Sequence, residues 1–489
     1  MNKPIRRVSI LVAIMFLAIM ASTTFTSFVS ANALNTNARN VRALYREFGF
    51  DRGPIVASGQ ILVDSVPFDS PFRFKRTYLG GDAQQAAVFA PVTGFFSIAN
   101  GTTMIERTEN AYLGGSADEL WLGRLRDTFT GAEPRGASVE LTIDTATQQA
   151  AWDALGGQHG AVIALEVSTG RILAMVSKPS FDPNVLAVHS TGLAGTAYQE
   201  LIADPDDPMI NRTINALYPP GSTFKLVPAV AALESGIVTP TELIPAPHTF
   251  TLPGTTHALQ NFGGASCSPA GEMTLHDAMV ISCNTAFAAL GVELGAQRML
   301  QQAELFGFNS PFDVPMRTAV SAFPSGATFT PDRQALAGIG QGDVTSTPLQ
   351  MAVVAQAIAN NGIVMQPYLV DTVRDDRLEI VAQNSPQQLR AAMSAPTAQL
   401  MTEMMVDTVN RGTGTAAQIS GIQVAGKTGT AQTAAGVAPH AWFVAFAPAS
   451  DPQIAVAVIV ERGGDLASEA TGGRVAAPVA RRVIEAYLR

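Results

Sequence analysis

The first pattern along the chain is an unbroken apolar block. No charged residue falls between Val8 and Leu34, and the most apolar part, Val8–Ala21, runs into a Thr/Ser-rich half-turn and Phe28-Val29. A helix needs about 20 apolar residues to cross a bilayer, so Val8–Ser27 predicts a membrane span. Lys3, Arg6 and Arg7 precede it and no cation follows directly. That asymmetry predicts a cytoplasmic amino terminus and an external remainder. Ala31-Asn32-Ala33 also fits the cleavage site of a signal peptide. An uncleaved anchor is the preferred reading, and both readings export residues 35–489.

Beyond the block the apolar runs are short, and Gly, Pro or charge interrupts each before it could span. From Asn35 to Pro134, Gly59-Gln60-Ile61-Leu62-Val63 and Ala87-Val88-Phe89-Ala90 read as short strands among frequent breakers. The pattern changes near Ala137. Val139–Ile143 alternates as a strand and Thr147–Leu155 reads as a helix. Ala161–Val167 and Arg171–Val176 read as two strands joined by the tight turn Ser168-Thr169-Gly170. Helical patterns dominate from Ser222 to Gly307 and return at Leu349–Ala359. Trp442–Ala447 and Ile454–Val460 read as strands, and Val475–Leu488 closes the chain as an amphipathic helix. Strands, then helices, then strands and a helix predict an α/β (α+β) domain whose sheet lies between helices and takes its edges from both ends of the domain. The predicted organisation is a tail (1–7), an anchor (8–30), a small mixed extracytoplasmic module (31–136) and a main domain (137–489).

Composition narrows the function. The 489 residues are 47% apolar and 15% charged, which excludes a disordered or fibrous chain. The net charge is −9 and no basic run occurs after the first seven residues, so no nucleic-acid partner is expected. Two cysteines cannot build a disulfide framework or a four-cysteine zinc site. The six histidines form no ligand pattern, so no metal or other cofactor is expected. Gly338-x-Gly340-x-Gly342 lacks the nucleotide-loop spacing and predicts a tight turn beside a cleft.

Of the 31 cations only five are lysines, and two sit in distinctive settings. Ser222 stands three residues before Lys225, after Tyr218-Pro219-Pro220-Gly221, and Lys427 opens Lys427-Thr428-Gly429-Thr430. Between them lies Ser282-Cys283-Asn284, 60 residues after Ser222 and 145 before Lys427. At a helix start, Ser222 would lie on one face with Lys225, near backbone N–H groups suited to an oxyanion. Lys225 could take the Ser222 proton if burial and a second cation lowered its pKa, and Lys427 supplies that cation. Ser282 could relay a proton and Asn284 could hold a substrate amide. Gly429 would let a substrate backbone approach, and Thr428 and Thr430 could bind a carboxylate. The backbone N–H groups of Ser222 and Thr430 would form the oxyanion hole. Pro228 falls inside the presumed helix and should bend or tighten its first turn. Cys267 lies sixteen residues before Cys283. A disulfide there would stabilise by about 3 kcal/mol in the chain-entropy model; the alternative is two buried thiols. Trp442 reads as core and Arg411-Gly412-Thr413-Gly414-Thr415 as a rim loop.

The order S-x-x-K, S-x-N, K-T-G resembles the penicillin-binding proteins and serine β-lactamases. Along nearly its whole length the chain is similar to class B penicillin-binding proteins, most of all the actinobacterial penicillin-binding protein A group. The similarity also rests on Arg52-Gly53-Pro54-Ile55, Phe89–Phe95, Asn211-Arg212, Gly338–Gly342 with Thr347-Pro348, and His440–Phe443. It implies a transpeptidase domain with a central antiparallel sheet, preceded by a pedestal and one transmembrane helix. It also implies a peptidoglycan D,D-transpeptidase acting on stem peptides, acylated by β-lactams at Ser222 and partnered by a membrane glycosyltransferase and other division proteins. The rival readings are a D,D-carboxypeptidase or β-lactamase, and a non-catalytic scaffold or β-lactam sensor. The family's pedestal motif often continues with an acidic residue and a second arginine. Here Val56-Ala57-Ser58-Gly59 follows instead.

Overall fold

The computed structural model describes residues 3–35, 45, 47–70, 72–133, 135–433 and 436–489. Met1 and Asn2 of the expected tail and residues 36–44 of the expected pedestal lie outside the described residues. Lys3–Thr24 is an α-helix that runs on through Phe25–Val29 with no residue buried. Its most apolar window has a mean hydropathy of 2.3, and it is the one helix among the described residues long and apolar enough to cross a membrane.

The two large sheets are built from β1 (Ile55–Ala57), β2 (Gln60–Pro67), β3 (Phe74–Tyr78), β4 (Ser138–Leu141), β5 (Gly160–Glu166), β6 (Ile172–Lys178), β7 (Val370–Arg374), β8 (Ile380–Gln383), β9 (Ala425–Ala431), β10 (His440–Ala447) and β11 (Ile454–Val460). The pedestal sheet has the order β8-β7-β4-β1-β2-β3. Ser58 and Gly59 join β1 to β2 with φ of 47° and 74°, the paired positive values that a two-residue hairpin turn favours. β4 runs parallel to β1 and antiparallel to β7. Strands from 370–383 thus complete a sheet begun at residue 55, so a chain division at 136/137 does not divide this sheet.

Ala87–Ala90, expected as a strand, lies inside the helix Ala83–Thr93. A four-residue apolar run cannot distinguish the two states. Here the decision falls to the ends: Asp82 Oδ1 accepts from the N–H groups of Gln84 and Gln85 at 3.0 and 3.1 Å, and Gly94 takes φ 68° after the last turn.

The second sheet has the order β9-β10-β11-β5-β6 with every neighbour antiparallel. Its edges come from the two ends of the main domain, as the element order predicts. All seven residues of β11 are buried. On one face Val162, Val456 and Val458 pack with Ala476, Ala480 and Val483 of the C-terminal helix Gly472–Tyr487. On the other, Ile163, Leu165 and Ala457 belong to the core that contains the wholly buried helix Pro348–Ala359. Each fully buried aliphatic side chain contributes about 1.5–3 kcal/mol, which makes this sheet the rigid platform of the molecule. Helices alone do not fill 222–307. Two small hairpins, Leu243–Pro245 with Glu272–Thr274 and Thr249–Thr251 with Ala258–Gln260, lie between Leu226–Glu234 and Asn284–Leu305. The inner hairpin forms one wall of the cleft described next.

Candidate active site

Ser222 lies in a 3₁₀ turn, Gly221–Lys225, that tightens the entry to the α-helix Leu226–Glu234. Pro228, with no N–H to donate, sits in the first turn of that helix, directly after the 3₁₀ turn, as the expected tightening requires. The turn is pressed against two neighbours. The Gly221 N–H donates to Gly340 O at 2.9 Å. Gly221 has φ 54°, and a Cβ there would sit 2.8 Å from Thr430 O. Gly340 has φ 68°, and its Cβ would meet Gly221 O at 2.1 Å. Both positions therefore require glycine, and the Gly338–Gly342 motif is the buttress of the Ser222 turn. Trp442 is fully buried beneath it and donates Nε1–H to Pro219 O at 3.1 Å, a core role as expected.

Lys225 and Lys427 are both completely buried. Lys225 Nζ donates to Ser282 O and Asn284 Oδ1, both at 2.8 Å, and lies 3.3 Å from Ser282 Oγ. Lys427 Nζ lies 2.7 Å from the same Ser282 Oγ and 3.0 Å from Thr428 O. Ser282 adopts φ 61°, rare for a residue with a side chain, and this turns both its carbonyl and its hydroxyl toward the lysines. Burial, and then the charge of Lys427, pushes Lys225 well below the ordinary lysine range. Burial brings Lys427 down to about 7. A lysine freed of its proton at neutral pH is a competent general base.

The cleft above these groups has a volume of about 860 Å³ and is lined by Ser222, Ser282, Asn284, Thr413, Thr428 and Thr430 among others. All eight predicted positions thus gather in or under one cleft, with Lys225, Lys427 and Gly429 beneath its surface. Three details add to the expectation. β9 is the sheet's edge, so its outer backbone faces the cleft. A Cβ on Gly429 would lie 2.9 Å from both Thr223 Cγ2 and Trp442 Cβ, so packing of the Ser222 turn already demands glycine there. The Asn284 amide is largely engaged by the protein: Oδ1 accepts from Lys225 and Nδ2 donates to Gln260 O at 3.2 Å. One N–H and one lone pair remain for a ligand.

Cys267 and Cys283 are bonded, with Cα atoms 6.0 Å apart. The link ties the inner hairpin's trailing segment to the turn that carries Ser282. Thr413 of the rim loop shares a 2.6 Å hydrogen bond with Thr428; its loop was legible but not its contact. Asn261 and Gln260, which touch Asn284, carry no local sequence signal. Asn211 donates to Pro91 O in the helix Ala83–Thr93 at 2.8 Å, and Arg212 Nε pairs with Glu461, just after β11, at 3.0 Å, so this matching pair braces the scaffold rather than the cleft.

Comparison with known proteins agrees with this geometry. Residues 160–485 match the penicillin-binding protein transpeptidase domain, and residues 52–139 match the penicillin-binding protein A dimerisation domain. The peptidoglycan D,D-transpeptidase PbpA of Mycolicibacterium smegmatis is 44% identical over 498 residues, covering 100% of this chain and 99% of that protein. The protein of the same name from Mycobacterium tuberculosis is 44% identical over 499 residues, with the same coverage. Penicillin-binding protein A from M. tuberculosis, solved as a ceftriaxone acyl-enzyme complex, superposes with a TM-score of 0.87 at 44% identity, covering 91% of this chain and 100% of that one. With full-length similarity of this kind, and with its three motifs assembled around one buried lysine pair, the chain belongs to the penicillin-binding protein transpeptidase family.

Proposed function

We propose that this chain is a membrane-anchored peptidoglycan D,D-transpeptidase that works through an acyl-enzyme on Ser222. The observation that carries the reading is the meeting of Lys225 and Lys427 at the Ser282 hydroxyl, at 3.3 and 2.7 Å, beneath a cleft that Ser222 lines. Neutral Lys225 accepts the Ser222 proton as Oγ attacks the penultimate D-Ala carbonyl of a stem peptide. The N–H groups of Ser222 and Thr430 hold the oxyanion, and Lys427, Thr428 and Thr430 hold the terminal carboxylate. Asn284 offers its remaining N–H to the substrate amide. The C–N bond to terminal D-Ala then breaks, and Ser282 passes the proton from Lys225 to the leaving amine. In the second half, an amine of a neighbouring stem peptide attacks the ester and gives its proton to Lys225. A new amide forms and Ser222 recovers its hydrogen.

A β-lactam would follow the first half only, because its leaving nitrogen stays tethered and blocks the acceptor. Among the described residues lining the cleft there is no Asp or Glu. A carboxylate of the kind that activates water in class A β-lactamases is therefore lacking there, which favours slow hydrolysis of a penicillin adduct. The relatives named above as D,D-transpeptidases, and the acyl-enzyme complex of one of them, support the transpeptidase reading. The helix Lys3–Val29, with its cations on the amino-terminal side, anchors the protein with the cleft outside. A membrane glycosyltransferase would supply the glycan strands, and division proteins would place the pair. Brief exposure to penicillin followed by peptide mass spectrometry tests the reading. The expected adduct is on Ser222 and is absent in Ser222→Ala; an adduct on another serine overturns the mechanism.

A further inference from the structure

The wall of the cleft formed by the inner hairpin does more than enclose it. A neutral lysine amine has two N–H bonds and one lone pair, and a base works only if the lone pair faces the proton to be taken. Around Lys225 Nζ, Ser282 O and Asn284 Oδ1 stand at 2.8 Å and can only accept, so they claim the two N–H bonds. The lone pair is left for the hydroxyl side of the site. This holds only while Asn284 keeps its oxygen toward Lys225. An amide turned over would present its NH₂ to Lys225 and compete for the lone pair.

The structure shows what opposes that turn. Gln260 O receives the Asn284 Nδ2 at 3.2 Å; with the amide reversed, two acceptors would face each other. Gln260 is itself fixed by its neighbour. Asn261 is buried, and its Oδ1 accepts from the N–H groups of Asn284 and Thr285 at 2.9 and 3.1 Å. These are otherwise orphan donors at the start of the helix Asn284–Leu305. Asn261 Nδ2 donates to Ala265 O at 3.1 Å. The Cys267–Cys283 bond ties the same segment at its far end.

We propose that Asn261 is a positioning residue of acylation: by clamping the Gln260 carbonyl to the head of the Asn284 helix, it sets the orientation of the Asn284 amide and so aims the Lys225 lone pair at Ser222. The inference rests on the Ser222 acyl-enzyme reading above. Asn261 is among the residues that line the cleft, but its Oδ1 and an Nδ2 hydrogen are taken by the protein backbone, so it acts on Lys225 through Asn284.

Acylation by a fluorescent penicillin, measured over a range of concentrations and normalised to reactive sites, tests it. In Asn261→Ala the rate constant at saturation should fall about 10- to 100-fold, the scale of a small misplacement of a catalytic group, with a much smaller change in half-saturating concentration. Asn261→Gln keeps the amide but moves its oxygen by one methylene and should also slow acylation. Asn261→Asp keeps the accepting oxygen and should restore most of the rate. A purely structural residue would lower the melting temperature and leave the per-site rate untouched. Per-site rates equal to wild type in a folded Ala or Gln variant overturn the inference, as does a folded Asp variant as slow as Ala. If the variants match a wild type that labels on Ser222, this inference alone falls; if the wild type does not label there, the acyl-enzyme reading falls with it.

Discussion

The molecule buries two pairs of cations, and it treats them in opposite ways. In the pedestal, Arg52 and Arg76 close on Glu106 from either side, Nε to carboxylate at 2.7 and 2.6 Å, and Tyr78 OH reaches the same carboxylate at 3.3 Å. Arg52 also stacks 4.4 Å over the Phe96 ring. In the cleft, Lys225 and Lys427 close on a neutral hydroxyl instead. Burial by itself would raise Glu106, but Arg76 and Arg52 together hold it below the usual carboxylate value. Burial alone brings Lys427 down. A guanidinium does not shed its proton in a protein, so two buried arginines need an anion. An ammonium can shed one, so two buried lysines resolve their repulsion by deprotonation. The pair that must keep its charge is buried with its anion, and the pair that can lose its charge lies beneath the cleft.

Replacing the cleft's logic by the pedestal's is the strongest test. Lys225→Arg puts a permanently charged guanidinium where a neutral amine acts and cannot serve as a base, so acylation by penicillin, measured per folded molecule, should fall about 10²–10⁴-fold. Wild-type acylation would break the contrast. The reverse test removes the pedestal's anion. Glu106→Gln leaves two buried guanidinium groups without a counter-charge and should destabilise by about 3–5 kcal/mol in urea or thermal unfolding. The acylation rate per folded molecule should not change.

The smallest effect sharpens the role of Lys427. Its folded pKa of about 7 lies below the unfolded value, so the unfolded chain binds the extra proton between the two. Stability from this group is complete above the unfolded pKa, decreases as pH falls and is gone below about 7. Across that window wild type should gain up to about 1.4 kcal/mol per pH unit relative to Lys427→Met. A flat difference from pH 7 to 9 in urea midpoints would contradict the assigned titration.

The same contrast shows why some features were legible in advance. Ser222, Lys225, Ser282 and Lys427 sit in short motifs whose spacing exposes them, in a chain where lysine is rare. The partner of Arg52 was not legible. No acidic residue follows it as the family pattern would suggest, and the carboxylate comes instead from Glu106, 54 residues later. Asn261 was equally hidden, since a buried asparagine capping a helix 23 residues away leaves no periodicity to read. Ala87–Ala90 failed for another reason: four apolar residues suit either element, and the Asp82 and Gly94 ends decided.

From the amino-acid order alone came the long apolar N-terminal helix, the strands and helices flanking the main sheet, and the identities of the groups that meet at the cleft. These depend on local periodicity and on motifs only a few residues long. Only the folded chain decided that β7 and β8 would complete a sheet begun at residue 55, and that Gly221 and Gly340 would press backbone to backbone. It likewise decided that two fully buried lysines 202 positions apart in sequence would share one hydroxyl beneath the cleft. Burial, which lowers the pKa of both lysines, and the charge of Lys427, which lowers Lys225 further, are properties of a place in three dimensions, and no single stretch of sequence encodes them.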